Sequence, residues 1–272
     1  MPTPPNLPPA LFDRRLRRRR LDRAAARFAD ADFLHRRAAE DIADRIAAIM
    51  RDFPVGVDLS ARRGALAEAL EAAAPGKVAL LIEADASPAM LAGRGGARVV
   101  LDDEALPFAA GSLDLVVSTL ALHWANDVVG ALIQARRALR PGGVFIGAIL
   151  GGATLTELRQ AFTEAEVAAW GGAGTRISPF ASAQDGAELL QRAGFSDPVC
   201  DIDRVSVRYE HPLRLFADLR AMGETNALTE RHPRGLTREL IGDVAGRYAE
   251  AHAGPDGRIP ATFEILTLTG WA

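Results

Sequence analysis

Hydrophobic residues recur at the helical period near the start of the chain. Apolar side chains are three or four residues apart at Leu34, Ala38, Ile42, Ile46 and Ile49. Charged residues lie between them, so the pattern predicts an amphipathic helix with one apolar face. We expect it to end before Phe53-Pro54, because proline disfavours helical geometry in the residue that precedes it.

After Pro54 the pattern changes to short apolar runs that alternate with helical segments. We predict strands at residues 55–59, 78–82, 98–101, 113–118 and 143–150. Helices are predicted between them at residues 64–74, 88–91 and 127–139. Such alternation implies a parallel sheet with helices on both faces. The predicted fold class is α/β, with a doubly wound, mostly parallel sheet.

The alternation loosens after residue 150. Helices are predicted at residues 155–169, 188–193, 212–222 and 236–252, and strands at residues 199–209 and 262–269. We therefore divide the chain into a disordered Pro-rich segment at 1–10, an N-terminal helical extension at 11–52 and a Rossmann-like domain at 53–272. Its core is residues 53–150, and residues 151–272 add helices and strands on the substrate side.

Composition excludes several classes of protein. The formal net charge is -3 over 272 residues, which gives no general argument for nucleic-acid binding. The single cysteine excludes an intrachain disulfide and a cysteine-based zinc cluster, and we predict no metal site. Apolar runs are too short to span a membrane. We expect a cytoplasmic protein, with a peripheral position at the inner membrane face left open.

Acidic residues follow three of the predicted strands. Asp58 follows the first, Asp85 the second, and Asp102 and Asp103 the third. Ligands of open parallel sheets bind at the carboxyl ends of the strands, where these side chains are expected. Carboxylates suit ribose hydroxyls, an adenine amino group or a cationic ligand, and no phosphate-binding loop is present. The pattern favours a nucleoside without phosphates.

The order of these motifs resembles class I S-adenosylmethionine-dependent methyltransferases over residues 53–150. The flanking motifs narrow the resemblance: FDR at 12–14, LHW at 122–124, ISPF at 177–180, MGETN at 222–226 and IPATF at 259–263. They are similar to a mitochondrial and bacterial family of assembly factors for respiratory complex I. A more distant resemblance is to the malonyl-carrier-protein methyltransferase of biotin synthesis.

The resemblance implies a glycine-rich turn after the first strand. Asp58 and Gly64 match it, whereas Ser60 and Arg62 stand where the family has glycines. Glycine permits close backbone approach to the cofactor and positive φ. Two positions of the Arg62 guanidinium are open: turned to solvent, which we favour, or lying across the methionine site, paired with Asp58 or the cofactor carboxylate. A plain strand–helix turn at 58–64 remains the alternative.

The resemblance also assigns roles to the other acids. It implies that Asp85 accepts hydrogen bonds from the ribose hydroxyls, with Ala86 beside it, and that Asp102 accepts from the adenine amino group. The backbone of Asp103 and the end of the fourth strand at Ser118 complete the expected S-adenosylmethionine site. The alternatives are a helix-terminal charge at Asp85 and a solvated acidic loop at 102–103.

His123 follows the fourth strand, above the expected methyl position. A histidine there could accept a proton near neutral pH, and His123 is our candidate catalytic residue. A packed, hydrogen-bonded histidine is the competing interpretation.

Eight arginines lie between Arg14 and Arg27. The run is either a solvated face or a docking site for an acidic protein or an anionic membrane. We expect residues 1–20 to be dispensable for the fold. Nucleic acid is not expected, because no aromatic residues alternate with the arginines.

Three functions remain open. The first is an enzyme that binds S-adenosylmethionine and acts on a protein, by resemblance a complex I subunit. One member of that family is described as an arginine hydroxylase, so the fold does not dictate methyl transfer. The second is a non-catalytic assembly chaperone with a degraded cofactor pocket, and the third is a carboxyl methyltransferase of a carrier-protein thioester.

Overall fold

The computed structural model describes residues 10–232 and 235–272. Its strands are β1 (Phe53–Asp58), β2 (Val78–Asp85), β3 (Arg98–Val100), β4 (Leu113–Thr119), β5 (Leu139–Leu150), β6 (Ser196–Tyr209) and β7 (Ile259–Trp271). Its α-helices are α1 (Arg14–Ala24), α2 (Phe33–Ala48), α3 (Ala65–Ala73), α4 (Pro88–Leu91), α5 (Val128–Ala138), α6 (Thr156–Trp170), α7 (Ala183–Arg192), α8 (Pro212–Ala221) and α9 (Arg238–His252). The disorder predicted for residues 1–10 falls outside the described residues, apart from residue 10.

The strands of the described residues form one sheet in the order β3-β2-β1-β4-β5-β7-β6. Strands β1 to β5 pair in parallel, whereas β7 runs antiparallel to both β5 and β6. The predicted doubly wound, mostly parallel α/β fold is confirmed. The order reverses at β1, so the carboxyl ends of β1, β2 and β4 meet at the point where such sheets bind ligands.

Helices cover both faces of the sheet. Residues of α2, α3, α6 and α9 form one core with Phe53, Leu115 and Ile146. On the other face, α5 and α7 contribute Leu132 and Leu190, and pack with Phe145. Neighbouring residues of β5 thus enter opposite cores, which explains why the central strands are continuous apolar runs.

Helix α2 ends at Ala48, before Phe53-Pro54 as expected. Other boundaries differ from the sequence expectation: Pro54 lies inside β1, and β2, β6 and β7 are longer than predicted. Strand β5 begins at Leu139, so it includes the sequence expected to form a turn before residue 143. Helix α7 begins at Ala183, earlier than predicted, because Ser182 and Asp185 cap its first turn reciprocally.

No helix within residues 10–232 and 235–272 is both long enough and apolar enough to cross a membrane.

Candidate cofactor site

Acidic side chains meet at the carboxyl ends of neighbouring strands. Asp58 ends β1 and Asp85 ends β2, and both are buried. Asp102 and Asp103 follow β3. A cavity of about 260 Å³ opens above these strand ends, and its lining includes Ala86, Leu101, Asp102, Asp103, Ala121 and Trp124. The structure thus brings the predicted acids to one edge of the sheet.

The guanidinium of Arg62 lies on Asp85. Arg62 is 4% exposed, and its NH1 donates to Asp85 Oδ2 over 2.6 Å. The Arg62 backbone N–H donates to the same oxygen over 3.3 Å, and Ser87 N–H donates to Oδ1 over 2.8 Å. The favoured expectation that Arg62 turns to solvent was therefore wrong, and the partner is the predicted ribose acid rather than Asp58. Coulomb attraction explains this choice, because it offsets the desolvation of both buried groups.

The turn after β1 uses left-handed backbone at three successive residues. The φ angles are 41° at Arg62, 68° at Arg63 and 92° at Gly64. This conformation costs a non-glycine residue about 1–2 kcal/mol. A Cβ at Gly64 would lie 1.9 Å from the Arg94 guanidinium, so a larger residue would displace that flexible side chain as well as strain the backbone.

Ser60 ties the ends of β1 and β4 together. Its Oγ donates to the Thr119 carbonyl over 3.0 Å and accepts from Thr119 N–H over 2.6 Å. The Ser60 side chain therefore has a structural role at a position where the resemblance implies glycine. It points to the neighbouring strand and not to the cavity lining.

Asp58 is a buried carboxyl with one hydrogen bond from the backbone. Ser60 N–H donates to its Oδ1 over 3.1 Å. Burial raises the pKa of Asp58 to about 7, and the neighbouring carboxylates of Asp85 and Glu83 act in the same direction. Asp58 is thus partly protonated near neutral pH.

Arg14 neutralises the acids after β3. Its guanidinium pairs with Asp102 and Asp103, and lies 3.3 Å from Glu104. These acids raise the pKa of Arg14 even though burial opposes the charged form. The loop at 102–104 is therefore paired with Arg14, and the Asp102 side chain remains 53% exposed.

A second arginine of α1 enters the site and meets Glu224. Arg17 NH2 is 2.6 Å from Glu224 Oε1, and the side chains are 6% and 7% exposed. Glu224 Oε2 also accepts from Trp124 Nε1 over 2.7 Å. Attraction to Arg17 holds the pKa of Glu224 well below its usual range despite burial. Glu224 belongs to the motif at 222–226, and no role was predicted for it from the sequence.

His123 is held from both ring nitrogens. Leu150 N–H donates to His123 Nδ1 over 3.4 Å, and Nε2 lies 3.3 Å from Glu224 Oε2. We infer that Nε2 carries the proton and donates to the carboxylate. Burial lowers the pKa of His123, so the imidazole is neutral near pH 7. This geometry favours a packed positioning residue over a free general base.

The N-terminal segment is built into the fold. The rings of Phe12 and Trp124 pack edge to face at 5.1 Å, and Asp13 N–H donates to the Ala227 carbonyl. Leu21 and Ala24 of α1 pack on Phe28 and Met90. The expectation that residues 1–20 are dispensable for the fold disagrees with this packing, since their removal would uncover buried aromatic surface and carboxylates.

Three buried polar atoms at the strand ends have no hydrogen-bond partner within the described part of the chain. They are Arg62 Nε, Ser118 Oγ and Thr119 Oγ1. Buried polar atoms are nearly always satisfied in folded proteins. Ser118 and Thr119 are consecutive residues of β4, and Arg62 lies in the turn after β1. Such groups are usually completed by a polar ligand or water.

Comparisons with known proteins agree with this geometry. A methyltransferase-domain family model matches residues 57–147. The chain is 38% identical to the mitochondrial arginine-hydroxylase NDUFAF5 of Danio rerio, covering 96% of this chain and 82% of that protein. It is 35% identical to a malonyl-[acyl-carrier protein] O-methyltransferase of Laribacter hongkongensis, with coverages of 92% and 86%. These matches confirm the resemblance seen in the sequence.

Solved structures show the same fold. The Bacillus subtilis protein YcgJ aligns with a TM-score of 0.58 at 14% identity, covering 86% of this chain and 97% of that one. A SAM-dependent methyltransferase of Thermotoga maritima aligns with a TM-score of 0.52 at 17% identity, covering 94% and 99%.

S-adenosylmethionine is the cofactor of this fold family. The residues here have the chemistry to bind it, except that Arg62 occupies one oxygen of Asp85. Asp102, Ala86 and Arg62 border the cavity, and Arg62 Nε is one of the unpartnered buried atoms. Asp85 has the chemistry to hold two ribose hydroxyls, but its Oδ2 is taken by Arg62. Binding of two ribose hydroxyls to both oxygens of Asp85 requires that guanidinium to leave Oδ2.

Replacing Asp58 with Asn should change how stability depends on pH. Because the pKa of Asp58 is raised in the folded state, the folded state binds more protons than the unfolded state between about pH 4 and 7. Asp58 therefore makes the free energy of unfolding fall as pH rises through that window. Asp58→Asn removes this term. The free energy of unfolding of Asp58→Asn minus that of the unmutated protein should therefore rise with pH, by at most about 1.4 kcal/mol per pH unit. Urea unfolding at pH 4.5, 5.5, 6.5 and 7.5 measures it.

Asp52→Asn is the matched control for Asp58→Asn, because the Asp52 side chain is 81% exposed. A pH-independent difference for Asp58→Asn would show that the carboxyl ionises normally in the native chain.

Replacing Arg17 with Met should strongly destabilise the protein. It leaves the Glu224 carboxylate buried without its cation, which costs about 3–5 kcal/mol. Arg17→Met with Glu224→Gln should recover part of the loss. Arg18→Met is the control, since the neighbouring Arg18 is exposed, and we expect a change within about 0.5 kcal/mol. Equal urea midpoints for the two single variants would contradict the assigned pairing.

Proposed function

We propose a function for this chain from the family to which it belongs, the methyltransferase-fold family that includes arginine-hydroxylase NDUFAF5 and malonyl-[acyl-carrier protein] O-methyltransferase. We propose that it is an S-adenosylmethionine-dependent enzyme. Its substrate in this proposal is a protein, and its process is the assembly of respiratory complex I. The observation that supports cofactor use most directly is the set of acids at adjacent strand ends beside one cavity. A protein substrate and complex I are carried over from the resemblance of the flanking motifs.

The roles of this chain's residues follow from their positions. We assign Asp85 to the ribose hydroxyls and Asp102 to the adenine amino group, with Ala86, Asp103 and Ser118 beside them. S-adenosylmethionine supplies an electrophilic methyl group on a sulfonium sulfur.

The buried network next to the cavity positions and shields the reacting end. Glu224 holds His123, Trp124 and Arg17 in one arrangement. The Arg17 guanidinium also lies 4.4 Å from the centre of the Trp124 ring. Through Arg17, helix α1 packs against this network. His123 acts as a positioning residue in this proposal, because both of its ring nitrogens are already bonded.

A gene-deletion strain tests the proposed process. We expect loss of the NADH:quinone oxidoreductase activity of its membranes, with normal growth on biotin-free medium. Biotin auxotrophy with normal oxidoreductase activity would replace the proposal with carrier-protein methylation. If a variant that cannot bind the cofactor restored oxidoreductase activity to the deletion strain, the non-catalytic chaperone would replace the enzyme as the proposed function.

Replacing Asp102 with Asn should weaken S-adenosylmethionine binding. The side chain is 53% exposed, so the fold should tolerate the change. Loss of a charged hydrogen-bond acceptor should reduce the binding free energy by about 1.5–3 kcal/mol, measured by calorimetry. Asp114→Asn is the control, because Asp114 lies near the other end of β4. Failure of the unmutated chain to bind S-adenosylmethionine would reject cofactor use itself.

The outer face of α1 is the proposed docking surface for the protein partner. Arg15, Arg19 and Arg23 are exposed, four residues apart, and make no ion pair with the described residues. Residues four apart share one helix face, so the three charges form a stripe. A stripe of this charge is complementary to an acidic protein surface.

Charge reversal of Arg15, Arg19 and Arg23 to Glu should abolish rescue of the deletion strain while S-adenosylmethionine affinity stays within about twofold. The matched control reverses the exposed residues Arg137, Arg192 and Arg220 and should rescue fully. Flotation with phosphatidylglycerol vesicles separates the two kinds of partner. Salt-sensitive vesicle binding that only the stripe variant loses would identify an anionic membrane instead of a protein.

A further inference from the structure

Arg62 already makes the contacts with Asp85 that a ribose would need. Its guanidinium and its backbone N–H both donate to Asp85 Oδ2, and Ser87 N–H holds the other oxygen. Each carboxylate oxygen therefore already accepts a hydrogen bond within the chain, and Oδ2 accepts two. Two ribose hydroxyls can bind both oxygens of Asp85 only if the guanidinium leaves Oδ2.

The guanidinium is held in place but incompletely bonded. Arg62 Nε is buried and has no partner among the described residues. Its backbone has a φ of 41°, which is unfavourable for arginine. The side chain also borders the cavity, beside Ala86 and Asp102. These features suit a group that leaves one anion for another across the cavity.

We propose that Arg62 determines which adenosine ligands this site accepts, by exchanging Asp85 for the carboxylate of the ligand's amino-acid part. The proposal rests on the proposed function, because it assumes that ribose hydroxyls bind Asp85. A ligand that carries a carboxylate offers the displaced cation a new partner. A ligand without one leaves a buried guanidinium unpaired.

The charges around Arg62 restrict where else it can go. Arg17, Asp85 and Glu224 lie close enough to interact with it electrostatically. Glu224 is bonded to Arg17, His123 and Trp124, so it has no free oxygen to offer. Asp103 is held by Arg14. Asp58 is another buried carboxyl that interacts with Arg62, but burial raises its pKa to about 7, so it is only partly charged. The ligand's own carboxylate is therefore the fully charged partner that remains.

Two ligands that differ in the amino-acid part test this exchange. S-adenosylhomocysteine has a carboxylate, whereas 5′-methylthioadenosine has the same nucleoside and sulfur without it. Calorimetry on the full chain should give at least a hundredfold preference for S-adenosylhomocysteine. In Arg62→Gly, 5′-methylthioadenosine should gain at least tenfold in affinity while S-adenosylhomocysteine changes by less than tenfold, so the preference shrinks.

Arg63→Gly is the matched control. It also relieves left-handed backbone, but Arg63 is exposed and bonds the Ala92 carbonyl instead of Asp85. Its preference between the two ligands should equal that of the native chain. Arg62→Met, with circular dichroism to verify folding, repeats the test without adding glycine flexibility.

The outcomes separate this proposal from the proposed function. If the native chain binds both ligands and the Arg62 variants keep the native preference, the exchange is wrong and the cofactor site stands. If the native chain binds neither ligand while Arg62→Gly binds both equally, Arg62 blocks the site, and both the exchange and the enzyme are wrong. If no variant binds either ligand, the acids do not form a nucleoside site and both proposals fall.

Discussion

This site depends on one constraint: the buried carboxylates beside the cavity must be neutralised. Acids at the ends of neighbouring strands lose hydration and repel one another when they are buried together. Arg62 forms an ion pair with Asp85, and Arg17 forms one with Glu224. Asp58 has no such cation within hydrogen-bonding distance, and its pKa rises to about 7. Each buried acid in this group is thus either paired with arginine or partly protonated.

This constraint makes the N-terminal helix part of the site. A run of eight arginines looks like a solvated surface in a linear sequence, but a helix divides it between two faces. Arg14 and Arg17 point inward to acids, while Arg15 and Arg19 point to solvent. The same helix therefore closes the cavity with one face and offers unpaired charge with the other. Any partner that binds the outer face acts on an element whose inner face contacts the cofactor site.

Periodicity was sufficient to predict the sheet and most helices, because burial on both faces leaves a strong apolar pattern in β4 and β5. It also placed Asp85 and Asp102 correctly at the strand ends. The pattern could not predict the direction of Arg62, since a long side chain follows local charge and not periodicity. Nor could it assign Glu224, which lies 100 residues or more along the chain from its partners His123 and Trp124. Contacts of that separation leave no local signal.

The two residues that replace glycines in the turn also bear on whether the pocket is degraded. Ser60 makes two hydrogen bonds with Thr119, and these join the ends of β1 and β4. Arg62 satisfies an acid that would otherwise be buried without a cation. Both substitutions are thus integrated into the site's bonding. The two substitutions replace backbone freedom with fixed pairings, so use of the pocket by a ribose depends on opening the Arg62–Asp85 pair.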